Sequence, residues 1–190
     1  MKKSLLFLMI LAAATFCFAG GNNDRELVEK AVKAMPREYR GNLIPEDVVV
    51  VYNIDSYFSD ESEAMREFTP RERTALRKFF TENVAFTLKH SLPLYVNINH
   101  TSFTKTMKGI DSRFLPYFLS SILAHEYYCH VISGSDDEDY CLGIEITILR
   151  HFLLMHRFDG IEPSVERYIQ RIEAVRTEMR AGQSAPPENK

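Results

Sequence analysis

Ser120-Ser121-Ile122-Leu123-Ala124-His125-Glu126-Tyr127-Tyr128-Cys129-His130 is the stretch on which the fold of this chain turns. Its opening residues are apolar or small, and they continue a run containing Phe114, Leu115, Phe118 and Leu119 at helical spacing. Such a run, from Arg113 to about His130, predicts a buried helix. His125 and Glu126 are then two ionisable groups carried inward, where polar side chains persist only when paired or bound to a metal. His130 follows five positions after His125. An α-helix turns about 100° per residue, so residues four apart share a face while these two point about 140° apart. Three local solutions are open: a π-bulge between them, an early helix end that lets His130 swing inward, or Cys129, four positions after His125, used in place of His130.

Downstream, Gly134 is a stop signal, and Ser135-Asp136-Asp137-Glu138 has the form of a capping box. A second buried helix is therefore expected from Asp136 to His156. Its segment Leu142 to Leu149 is apolar nearly all round, and Glu145 is the one charge in it. A carboxylate among isoleucines needs a cation, either a metal or a base such as Arg150 or Arg157. Pro163 or Ser164 opens a last amphipathic helix through Val165, Tyr168, Ile169, Ile172 and Val175.

Upstream, Pro93 to Asn99 alternates as a strand, and the polar stretch from His100 to Ser112 reads as a loop. Thr69-Pro70-Arg71-Glu72 is a capping box with proline at the first helical position, predicting a long helix through Phe80, Val84, Phe86 and Leu88. Asp55 to Glu67 is acidic and serine-rich and is expected to be an exposed link. Four consecutive valines make Glu46 to Tyr52 a strand, and a helix from Asp24 to Met35 ends at Pro36. Helices outnumber strands. The expected fold class is α+β, a predominantly helical single domain over residues 20–181 with a small β-sheet packed beside the buried helix pair, followed by a disordered tail over 182–190.

Residues 1–19 have a positive start, an apolar run and a small residue, Ala19, before Gly20, which together predict a signal peptide. The run is too short for a membrane anchor, so the protein is expected to be exported, periplasmic or secreted, with lipidation at Cys17 as the alternative. Removing these residues takes away Lys2 and Lys3 and moves the formal charge from −3 to −5, which argues against a nucleic-acid partner. Cys129 and Cys141 are the remaining cysteines. In an oxidising compartment they can form a disulfide; otherwise they are a metal thiolate or buried thiols.

The His125-Glu126 pair with His130 behind it resembles the zinc-binding helix of the zincin metallopeptidases, whose pattern is H-E-x-x-H. The resemblance runs over 92–155, where a strand, a loop, the His-Glu helix and a following helix occur in the family's order. It implies Zn²⁺ held by His125 and His130, Glu126 as general base toward a zinc-activated water, and a third ligand on the next helix. Glu145 matches the position that glutamate-type zincins use for that ligand, with Asp136 and Glu138 as competitors. The implied function is an exported zinc-dependent hydrolase acting on a peptide or protein. The alternative is a non-enzymatic, degenerate zincin with a structural or binding role.

Overall fold

The computed structural model describes residues 22–87, 95–155, 160 and 162–183. Residues 1–19, where a signal peptide is predicted, the predicted strand residues Pro93 and Leu94, and residues 184–190 of the predicted tail lie outside the described residues. Helix α1 (Asn22–Ala34) presents Val28, Ala31 and Val32 to the core and stops before Pro36. A short helix α2 (Arg37–Arg40) and the turn at Gly41, whose φ is 52°, lead to strand β1 (Val48–Val51). The expected exposed link is in part folded inward. It contains helix α3 (Ile54–Tyr57), and its Phe58 and Met65 are buried.

Helix α4 (Pro70–Glu82) begins as its sequence predicts, with the Thr69 hydroxyl accepting from the Glu72 amide at 3.3 Å and the Glu72 carboxylate accepting from the Thr69 amide at 2.8 Å. It does not continue through Val84 and Phe86, and Leu88 lies outside the described residues. Asn83 turns to extended backbone and its side chain donates to the Phe79 carbonyl at 2.8 Å, closing the helix. Strand β2 (Ala85–Thr87) follows, because Ala85 and Phe86 serve opposite cores, an alternation of period two rather than 3.6.

Strand β3 (Val96–Asn99) lies at the centre of a three-stranded sheet of order β1-β3-β2, parallel to β1 and antiparallel to β2. Val48, Val50, Val96 and Ile98 face the larger core. The opposite face carries Val51, Phe58, Met65, Phe80 and Phe86 as a second cluster. Asn97 and Asn99 also point that way and are satisfied. The Tyr57 hydroxyl donates to Asn97 Oδ1 at 2.6 Å, and Asn99 Nδ2 donates to the Phe80 carbonyl at 2.8 Å, which ties α4 to the sheet. The predicted loop after β3 is a helix, α5 (His100–Thr106), because the Asn99 side chain caps it by accepting from the Ser102 amide at 3.1 Å.

Helix α6 (Leu115–Leu123) packs along α1 and passes without a break into a π-helical segment, Ala124–Ile132. Helices α7 (Glu138–Met155) and α8 (Glu162–Gln183) close the core through Ile146, Ile148, Leu149 and Phe152 and through Val165, Ile169 and Ile172. Helix α8 runs two residues into the predicted tail. The fold is thus the expected α+β class, mainly helical, with a small sheet beside the buried helix pair.

The N-terminal end of α7 is fastened to α8 by Asp139, which accepts from Arg176 at 2.9 Å and from Arg180 at 2.7 Å. Hydrogen bonds from Arg180 and Arg176 lower its pKa below 3.8. A carboxyl with a depressed folded-state pKa stabilises the fold above its unfolded pKa, and that contribution is lost as pH falls through the folded value. Asp139→Asn is therefore expected to melt below the parent at pH 7, with the gap narrowing as the scan is moved below about pH 3. An equal gap at both values would show that the ion pair is not its source.

Candidate metal centre

The interval between His125 and His130 is resolved by the backbone. Over Ala124–Ile132 the hydrogen bonds close one residue later than in an α-helix, as in the Ser133 amide donating to the Tyr128 carbonyl at 2.8 Å. That i→i+5 closure brings positions five apart onto one face. The two imidazoles come together, with ring centroids 5.2 Å apart. Of the three local solutions, the π form is the one adopted, extended over the whole segment rather than confined to a single bulge. The Ser135 amide donates to the Cys129 carbonyl at 2.8 Å, and Gly134, at φ 64°, turns the chain toward α7.

Among the described residues, His125, His130 and Cys141 form a group whose donor atoms lie within 4.8 Å of one another, so that this cluster can hold a metal ion. Two imidazoles and a thiol are the donor types that zinc accepts. His130 is already set for ligation. Its Nδ1 lies 2.9 Å from the Ser135 carbonyl, an acceptor, so this nitrogen carries the proton and leaves the Nε2 lone pair open. Cys129, the alternative ligand, is wholly buried but is not in the cluster.

Glu138 and Glu145 differ from their expected roles. Asp137, not Ser135, caps α7, accepting from the Asp139 amide at 3.1 Å and the Tyr140 amide at 3.3 Å. Glu138 is therefore released from the predicted capping box. Its carboxylate faces both imidazoles, at 3.3 Å from His125 Nε2 and 3.5 Å from His130 Nε2. Glu145, 4 % exposed, is not in the three-residue cluster and stands against the other nitrogen of His125, 3.4 Å from Nδ1, where it can orient the ring. Tyr168 of α8 donates to its second oxygen at 2.8 Å. Arg150, weighed as a partner for Glu145, pairs instead with Glu173 at 2.8 Å. Asp136, the other competitor, is also outside the cluster.

Electrostatics follow from this packing. Burial opposes a charged His125, but the Glu138 and Glu145 carboxylates on its two nitrogens outweigh it and raise its pKa to about 11. Glu138 is lowered in turn, chiefly by His125. Without a metal, the charge on His125 offsets that of the two acids facing it. Glu126 is buried beside the same histidines. Burial raises its pKa, while His125 and His130 draw it back and the Thr87 hydroxyl donates to its Oε2 at 3.1 Å.

Thr87 and Tyr168 had no legible signal, since both reach the site from elements remote in sequence. Glu138, Cys141 and Glu145 did have one, because their three- and four-residue intervals put them on one face of α7. Comparison with family models, with curated proteins and with solved structures finds no match.

Proposed function

We propose that the chain is an exported zinc-dependent hydrolase of peptides or proteins, with His125, His130 and Cys141 as the residues that hold Zn²⁺ and Glu126 as general base. The observation that carries this reading is the convergence of His125 and His130 through the π-helical segment, with Cys141 at the same point and a buried carboxylate, Glu126, alongside. When bound, zinc supplies Lewis acidity: it acidifies water and polarises a carbonyl. Glu126 accepts the proton of the attacking water and delivers it to the leaving amine, and Thr87 holds the carboxylate in position. His130 is kept in the metal-ready tautomer by the Ser135 carbonyl, and Glu145 orients His125 with support from Tyr168. His125, His130 and Cys141 would hold the ion, and a water would complete its ligands.

The test is hydrolysis of an unfolded protein such as reduced casein by the purified chain loaded with zinc. Cleavage is expected to stop on addition of a chelator and to return with added Zn²⁺. Cleavage that is indifferent to the chelator would remove the metal from the reaction.

A further inference from the structure

Cys129 is a buried nucleophile that the proposed chemistry does not use. It belongs to the π-helical segment that carries both histidines, and its side chain is fully buried, as is that of Cys141 on α7. Both are free thiols on elements that pack against each other, and each lies within the other's electrostatic reach. Cys141 is thus near both the imidazoles of His125 and His130 and the thiol of Cys129. The chain between the two cysteines includes an irregular, largely exposed stretch from Ser133 to Asp137, turned at Gly134 in the left-handed region.

We propose that Cys129 and Cys141 form a disulfide that competes with the metal for Cys141, so that oxidation of this pair and metal loading exclude each other. The proposal rests on the assignment of Cys141 to the metal centre. The oxidant is a low-molecular-weight disulfide. One protein thiolate attacks it and expels one thiolate, giving a mixed disulfide. The second protein thiolate attacks the protein sulfur of that mixed disulfide and expels the other thiolate. The protein loses two hydrogens and the oxidant is reduced to two thiols. A sulfur bonded to Cys129 is no longer an anionic ligand, and the centre is left with its two imidazoles. In the other order, a metal bound through Cys141 removes the thiolate that the exchange needs. A compartment that promotes disulfides would then make early metal loading decisive for the fate of the chain.

The experiment uses the purified full chain carrying Cys17→Ser, so that Cys129 and Cys141 are its two cysteines, with three readouts: free thiols under denaturing conditions, intact mass, and bound Zn²⁺ measured by equilibrium dialysis. The reduced chain is expected to bind zinc. After incubation with oxidised glutathione in a chelator, followed by removal of both, Cys129 and Cys141 are expected to be linked, with a mass loss of about 2 Da and zinc affinity at least about tenfold lower. The chain loaded with zinc before the same treatment is expected to keep both thiols. Cys129→Ser is expected to bind zinc like the parent and, after the same treatment, to show no mass loss of about 2 Da, any oxidised Cys141 appearing instead as a heavier glutathione adduct.

A linked chain that binds zinc as the reduced one does would overturn the proposal, as would metal-free chain whose two thiols survive the oxidant. A reduced chain that takes up no zinc fails before any oxidant is added, and it removes the metal-centre assignment and the competition with it.

Discussion

Glu126→Gln is expected to retain about one zinc per chain and to lose about 10²- to 10⁴-fold in the rate of peptide hydrolysis. Glutamine has the same shape as glutamate, and its carbonyl can still accept from the Thr87 hydroxyl, which donates to Glu126 Oε2 at 3.1 Å. The fold is not asked to tolerate a new cavity. What changes is the ability to take a proton: a carboxylate can hold one, and an amide cannot at these pH values. Because the carboxyl is buried and its pKa is raised by that burial, its replacement by a neutral amide should also leave the melting temperature unchanged or slightly higher. Paired zinc content and rate measurements on parent and variant check both halves. Undiminished hydrolysis by Glu126→Gln would take Glu126 out of the reaction.

His125→Ala is expected to lose zinc and, separately, to lower stability. In the metal-free protein its ring lies between two carboxylates, 3.3 Å from Glu138 and 3.4 Å from Glu145. Removing it takes the facing imidazole away from Glu145, 4 % exposed, and leaves the Tyr168 hydroxyl as its hydrogen-bond donor among the described contacts. Breaking a buried charge pair by deleting one partner costs about 3–5 kcal/mol, a large part of the ordinary stability of a domain of this size. Urea unfolding of the metal-free chains measures that cost directly. His130→Gln supplies the control for folding, since its neighbour Glu138 is half exposed and can turn to solvent. That variant is expected to stay folded and still bind zinc at least about tenfold more weakly than the parent.

Much of the scaffold was legible because its signals are local. Four valines made β1, Thr69 and Glu72 opened α4, and Glu145 stood out as a charge in an apolar helix that the structure buries. Strand β2 was missed because Phe80, Val84, Phe86 and Leu88 satisfy a helical reading until Asn83 breaks it, and only the second core on the far face of the sheet reveals where Phe86 points. The site was legible in outline. The interval between His125 and His130 demanded a π turn or an exchange of ligands, and the sequence alone did not choose between them. The carboxylates were harder to rank. Ser135 and Glu138 matched a capping box, yet Asp137 takes the cap, and that shift releases Glu138 toward the imidazoles while Glu145 falls one helical face position behind them. For Cys141 the sequence leaves disulfide, metal thiolate and buried thiol open, although it shares a helical face with Glu138 and Glu145. Its proximity to both histidines comes from the packing of α7 against the π-helical segment.

The most direct test of this centre is X-ray absorption at the zinc edge on the purified chain after stoichiometric reconstitution. The expected result is bound zinc with one sulfur neighbour at about 2.3 Å and nitrogen or oxygen neighbours at about 2.0–2.1 Å, the shell that Cys141, His125 and His130 make together. A chain that takes up no zinc, or zinc with nitrogen and oxygen neighbours alone, would contradict it.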